Sequence, residues 1–188
     1  VIVTYIVITI AYTLWLKRVP VVDVVTVAAG FVLRAAAGAG LSIALSCDLR
    51  IASASCKITT AFAKVGLSGD YGGTYFLTQM LGSAKARELY LTSPVLSAQE
   101  AYNLGIVTKV VPDADIDAEA HDLAMSLAQG PSVTLGYIKR NINNAETMSL
   151  EACFDAEAIH HSRSGDTADH KEAAKAFVEK RKPAFQGQ

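Results

Sequence analysis

Apolar residues fill most of the first part of the chain and then give way to shorter alternating segments. Residues 1–16 (VIVTYIVITIAYTLWL) are apolar apart from threonine hydroxyls and tyrosine tips, and residues 21–33 form a second apolar run. Lys17, Arg18 and Pro20 separate the two runs. A membrane-spanning helix needs about 20 apolar residues, so the first run is marginal for that role. Its β-branched residues also fit a buried strand.

From residue 38 onward, the pattern predicts strands alternating with helices, and the last third is helical throughout. The predicted strands are residues 49–52, 57–60 and 106–111. The predicted helices are residues 41–46, 72–80, 83–91, 97–105, 116–128, 132–144, 150–163 and 168–182. Ser97 and Glu100 have the spacing of a capping box. The sequence therefore predicts an α/β core over residues 35–128 and a helical domain over residues 129–188, after an apolar leader of residues 1–34.

Composition excludes several functional classes. The chain has 17 Lys and Arg against 18 Asp and Glu, so no basic surface favours nucleic-acid binding. Its three cysteines, Cys47, Cys56 and Cys153, lack CxxC spacing and indicate reduced thiols rather than a disulfide framework or a zinc site. The chain begins with Val rather than Met, which leads us to expect a fragment.

Two segments carry the most specific signal in the sequence. They are GAGLSIALSCDLRIASASC at residues 38–56 and the loop GLSGDYGG at residues 66–73. Over residues 35–188 the chain resembles the crotonase superfamily, the enoyl-CoA hydratase/isomerase enzymes that stabilise thioester enolates. The resemblance implies a truncated ClpP/crotonase-like ββα core with a C-terminal helical domain. It also implies a cytoplasmic homotrimer or dimer of trimers that binds an acyl-CoA substrate, with coenzyme A as part of the thioester, no separate cofactor and no metal.

The resemblance places one oxyanion donor in the glycine turn. Enolate chemistry needs backbone N–H groups aimed at the thioester oxygen, where negative charge develops. One such donor corresponds to Ala39, flanked by Gly38 and Gly40 at the start of a helix whose dipole favours negative charge. The second donor of the family lies in an upstream Ala-Gly-x-Asp loop that this sequence lacks. We therefore expect activity to be impaired by loss of the N-terminal half.

The proton-transfer groups implied by the resemblance differ from those of the hydratases with two glutamates. Ser42 and Phe62 stand at the two glutamate positions. Asp70 corresponds to the proton carrier of the isomerising members, and Gly72 and Gly73 complete its loop. A single carboxylate can remove a proton and return it elsewhere, which favours isomerisation over hydration. The alternative is that Asp70 only caps the helix that follows it.

The last predicted helix carries a second group of candidate residues. The resemblance assigns Phe177 and Lys180 to contacts with the coenzyme A of a neighbouring subunit. The alternative is that the cations in this last turn interact favourably with the helix dipole without a ligand.

The leader has a different resemblance. Residues 1–34 resemble a membrane segment of a UbiA-type polyprenyl-phosphate phosphoribosyltransferase, but they contribute only Asp23 and no Asp-rich motif. This suggests a foreign segment joined to a truncated crotonase, and the alternative is a divergent strand and helix of the same domain. Two further functions stay open: a non-catalytic oligomerisation module, and a protein tethered to a membrane through residues 1–33.

Overall fold

The computed structural model describes residues 32–188, with side chains from residue 36 onward. The first 31 residues, which include most of the predicted leader, lie outside the described part of the chain. The described residues divide into two compact units, with the boundary between Ala124 and Met125.

The first unit contains a mixed four-stranded sheet. Its strands are β1 (Val32–Ala37), β2 (Ile51–Thr59), β3 (Leu96–Ser97) and β4 (Lys109–Val111). Strand β2 is central, and β1 is parallel to it along one edge. Along the other edge, β2 pairs with β4 in parallel and with β3 in antiparallel orientation. The pairing of β1 with β2 shifts register between Leu33 and Ala35.

Helices pack on this sheet and enclose the main core. They are α1 (Ala39–Leu45), a 3₁₀ turn (Phe62–Val65), α2 (Gly73–Thr92) and α3 (Ala98–Asn103). The most enclosed side chains of the core include Ala44, Ile58 and Leu77, which are fully buried. Burial of such apolar area is the main contribution to the stability of the unit. Ser97 and Glu100 form the predicted capping box at the start of α3.

In the second unit, the regular elements of the described residues, 125–188, are all helices. After α4 (Ile116–Ala128), in which the boundary between the units falls, come α5 (Ser132–Ala145), α6 (Leu150–Gly165) and α7 (Ala168–Val178). Ser149 and Thr167 cap α6 and α7 through their side-chain oxygens. The buried carboxylate of Asp169 accepts hydrogen bonds from the N–H groups of Gln186 and Gly187, at 2.7 and 2.9 Å, so the tail folds back on α7.

Several predicted elements differ from the structure. The two predicted strands at 49–52 and 57–60 are one continuous strand, β2, each end of which is paired on both edges. The strand predicted at 106–111 forms only over Lys109–Val111. The N–H group of Ile106 is instead bonded to the Ala101 carbonyl in the turn after α3. Strand β1 was not predicted, and it crosses the position between residues 34 and 35 at which we expected the leader to end.

Helix α2 contains a break that the sequence did predict. Gly82 has φ 76° and ψ 159°, which is not helical, so α2 consists of two helical segments. This confirms the prediction of separate helices at 72–80 and 83–91. Within residues 32–188, no helix is both long and apolar enough to cross a bilayer. The membrane prediction for residues 1–33 falls almost wholly outside that range.

Candidate functional site

The glycine turn between β1 and α1 is held by the end of β2. Gly38 is the N-cap of α1 and has φ 52°, a conformation that side chains disfavour. Its N–H group donates to the Thr59 carbonyl at 3.1 Å. A Cβ on Gly38 would lie 3.7 Å from Cζ of Phe62. Ala39 is the first residue of α1. The first N–H groups of a helix have no acceptor within that helix, so the Ala39 N–H group does not take part in its hydrogen bonds.

Helix α1 meets the start of α2 at Gly73. A Cβ on Gly73 would lie 2.3 Å from Oγ of Ser42 and 2.4 Å from the hydroxyl of Tyr90, so only glycine fits. The Ser42 and Tyr90 hydroxyls are hydrogen-bonded to each other. Ser42 is buried and also donates a long bond of 3.4 Å to the Gly38 carbonyl. These contacts bring the glycine turn and the helix after the GLSGDYGG loop together.

Tyr90 also contacts Phe62. The two rings stack with 6.1 Å between centroids and 3° between planes, and Phe62 is buried. Tyr90 therefore touches both Ser42 and Phe62, the two residues at the glutamate positions of the resembled hydratases. Sequence reasoning missed Tyr90, because it is a lone tyrosine in a helical segment that belongs to neither motif.

Asp70 lies in the exposed loop before α2, close enough for its charge to act on Tyr90. Burial raises the pKa of the Tyr90 hydroxyl, the bond with Ser42 lowers that pKa, and the negative charge of Asp70 raises it. The N-cap of α2 is Gly72, with no side-chain capping bond. The alternative that the Asp70 side chain caps this helix is therefore wrong. The backbone carbonyl of Asp70 does accept a 3.0 Å bond from the Gly73 N–H.

The remaining predicted residues lie in varied surroundings. A Cβ on Gly40 would meet nothing within 4 Å, so packing does not require glycine there. Phe177 is 85% exposed at the end of α7, in the other unit. Lys180 follows α7 and has φ 54°, so its predicted place within the last helix is wrong. That helix ends early because the tail turns back to bond Asp169 and Glu172.

The cysteines form no site in the described part of the chain. None of the three forms a disulfide, and Cys47 and Cys56 are buried. Burial is the main reason that the pKa of the Cys56 thiol is raised, with a smaller effect of Asp113. Among residues 32–188, no group of three or more His, Cys, Asp or Glu side chains is placed to hold a metal ion.

Comparison with known proteins agrees with this geometry. The family described as enoyl-CoA hydratase/isomerase matches residues 8–188. The chain is 42% identical over 152 residues to the 1,2-epoxyphenylacetyl-CoA isomerase of Escherichia coli (strain K12), covering 81% of this chain and 58% of that protein. The chain thus spans less than two thirds of that relative's length.

Solved structures give the same result for the fold. An enoyl-CoA hydratase from Polaromonas sp. JS666 is 36% identical, with a TM-score of 0.77 over 81% of this chain and 59% of that one. An enoyl-CoA hydratase subunit I from Geobacillus kaustophilus HTA426 is also 36% identical, with a TM-score of 0.77 over 82% of this chain and 60% of that one. The predicted crotonase-type α/β fold with a helical C-terminal part is confirmed.

The comparisons also bear on the leader and on the competing functions. The family match begins at residue 8, inside the segment that we expected to be foreign, and the UbiA-type resemblance finds no support. The alternatives of a non-catalytic module and of a membrane-tethered protein gain no support either. Members of the matched family act on coenzyme A thioesters without a separate cofactor. The chain belongs to the enoyl-CoA hydratase/isomerase family.

Proposed function

We propose that this protein isomerises an acyl-CoA thioester through an enolate, with Asp70 as the proton carrier. The observation that carries the proposal is the contact of Ser42 with Gly73, which joins the helix that begins at Ala39 to the loop that holds Asp70. Ser42 and Phe62 provide no carboxylate, so Asp70 is the acidic residue of these two motifs nearest to Tyr90 and α2.

The reaction follows from the chemistry of the thioester. The Asp70 carboxylate takes a proton from carbon next to the conjugated system, and the electron pair moves onto the thioester oxygen. The Ala39 N–H donates to that oxygen, and the start of α1 adds a favourable dipole. Protonated Asp70, which is exposed and can exchange its proton with solvent, then gives a proton to another carbon, so the double bond moves and the composition of the thioester is unchanged.

Water addition is disfavoured by the same residues. Hydration needs one group to activate water and another to protonate carbon, and two carboxylates can divide these two tasks between them. With a serine and a phenylalanine at those positions, one carboxylate remains for both tasks. The E. coli relative is also named as an isomerase, and the thioester in its name has a ring in the acyl group. Ring-bearing thioesters therefore belong among the candidate substrates.

Proton exchange tests this proposal even when turnover is slow. The full chain is incubated in D₂O with 3-butenoyl-CoA, crotonyl-CoA or phenylacetyl-CoA, and NMR follows deuterium entry, double-bond migration and hydration. We expect exchange and migration to exceed hydration, and Asp70→Asn to remove both. Hydration that outpaces migration, or exchange that survives Asp70→Asn, would contradict the proposal.

Assembly and location are proposed on the same basis. We propose a homotrimer or a dimer of trimers in the cytoplasm, supported by exposed apolar side chains on the C-terminal helices, such as Phe154 at 61% and Phe177 at 85%. In an assembly of this kind Phe177 and Lys180 would reach the coenzyme A of a neighbouring subunit. Mass measurement in solution tests this, and a monomer at micromolar concentration would contradict it.

A further inference from the structure

Tyr90 is the residue of the site to which the proposed reaction assigns no task. Its ring stacks on Phe62, its hydroxyl is bonded to Ser42, and its Cε1 would lie 3.3 Å from a Cβ on Gly69. It thus contacts the loop of Asp70 on one side and α1 on the other. The three contacts come from three separate elements of the first unit.

Packing alone accounts for the ring of Tyr90 but not for its hydroxyl. A phenylalanine would keep the stack on Phe62 and fill the same volume. A hydroxyl removed from water costs free energy unless it is bonded; Tyr90 is half-buried, and its partner is a serine that is only 1% exposed. The two hydroxyls therefore form a polar link between α1 and α2, directly beside Gly73.

The position of this link matters for the reaction. The Ala39 N–H belongs to α1, whereas the Asp70 carboxylate belongs to the loop before α2. Their spacing is therefore set by whatever joins α1 to the start of α2. A misplacement of about 1 Å between reacting groups can cost about 100-fold in rate.

We propose that Tyr90 is a positioning residue whose hydroxyl, bonded to Ser42, fixes the Asp70 loop relative to the Ala39 N–H. The inference rests on the proposed isomerase function. It gives Ser42 a task as well, as the partner of Tyr90 at a position where related hydratases use a carboxylate. Neither hydroxyl exchanges a proton with the substrate.

The kinetic test compares Tyr90→Phe with Tyr102→Phe, which removes the hydroxyl of an exposed tyrosine on α3. We expect Tyr90→Phe to lower the rate of deuterium entry into the substrate about tenfold, with KM nearly unchanged, while Tyr102→Phe has no effect. Ser42→Ala should lower the rate similarly. The double variant should be no slower than either single variant, since both remove the same bond.

Two outcomes of this test would overturn the inference. One is a rate for Tyr90→Phe equal to that of the Tyr102→Phe control. The other is an additive loss in the double variant, which would show that the two hydroxyls act separately.

A titration makes the inference testable independently of turnover. Phenolate absorbance, compared between the wild type and Tyr90→Phe, isolates the titration of Tyr90. We expect Ser42→Ala to raise the pKa of Tyr90 and Asp70→Asn to lower it. If the wild type exchanges no protons, the proposed function fails, and the titration alone then decides whether the link exists. A pKa of Tyr90 that neither substitution moves would show that it does not.

Discussion

Tyr90 lies against Gly73, although both residues belong to the same helix, α2. A Cβ on Gly73 would be 2.4 Å from the Tyr90 hydroxyl, whereas a straight helix would separate the two residues by about 25 Å along its axis. The break at Gly82 lets the second half of α2 fold back along the first. The site therefore depends on a backbone conformation remote from every residue with a chemical role.

Replacement of Gly82 tests this dependence. Its φ of 76° and ψ of 159° fall in a region that is essentially restricted to glycine. A Cβ there would meet nothing within 4 Å, so Gly82→Ala changes the backbone preference alone. We expect a loss of about 1–3 kcal/mol in the free energy of unfolding, measured by urea denaturation. Gly136→Ala, which also has open space but lies within α5, should instead be neutral or stabilising.

Replacement of Gly73 tests the close approach of the two helices. The added methyl group of Gly73→Ala would overlap the hydroxyls of Ser42 and Tyr90. We expect destabilisation by about 1–3 kcal/mol and loss of proton exchange, because the helices must move apart. Gly40→Ala is the matched control for stability, since its Cβ meets nothing within 4 Å. Equal unfolding midpoints for the two variants would argue against this packing.

Replacement of Asp70 separates chemistry from folding. Asp70 is exposed and caps no helix, so Asp70→Asn should leave the thermal midpoint within about 1 °C of the wild type, a change well below 1 kcal/mol. Proton exchange into the acyl-CoA should fall below detection. Asp122→Asn, on the exposed face of α4, is expected to change neither quantity.

Acid should release the C-terminal tail. Bonds from Arg181 and the Ala184 N–H lower the pKa of Glu172 from 4.5 to about 2. Because the folded pKa is the lower one, this stabilisation is present above pH 4.5 and is lost as the pH falls towards 2. Amide exchange of residues 181–188 should thus be slower in the wild type than in Glu172→Gln above pH 4.5. The difference should vanish near pH 2, and equal protection in the two proteins above pH 4.5 would assign the protection to Asp169 instead.

Local signals in the sequence predicted local structure well. The Ser97–Glu100 capping box and the break between residues 80 and 83 were both found, since each depends on residues close together in the chain. The glycine turn and the Asp70 loop were identified from their motifs. Their contact through Ser42 and Gly73 was not predicted, because it joins residues far apart in the chain.

Long-range pairing explains what the sequence did not predict. The polar and small residues at 53–55 suggested a gap between two strands. The pairing with β1 does skip these residues, but Ser53 pairs with Val111 and the Ser55 N–H donates to Asp113, so the segment stays extended. The last helix was predicted to extend to residue 182, but it ends at Val178 because the tail turns back to bond the Asp169 and Glu172 carboxylates. Tyr90 could not be placed at the site without the fold-back at Gly82.

The pairing of β2 also constrains how the protein folds as it is synthesised. Ile51 pairs with Lys109, and buried Arg50 donates through Nε to the Ile106 carbonyl at 2.5 Å. A nascent chain that has emerged from the ribosome only as far as residue 105 therefore exposes the first half of one β2 edge without its partner. Such unpaired edges promote association with other chains. Emergence of β4 from the ribosome ends this exposure, so a translational pause before residues 109–111 have emerged would favour aggregation, and a pause after they have emerged would not.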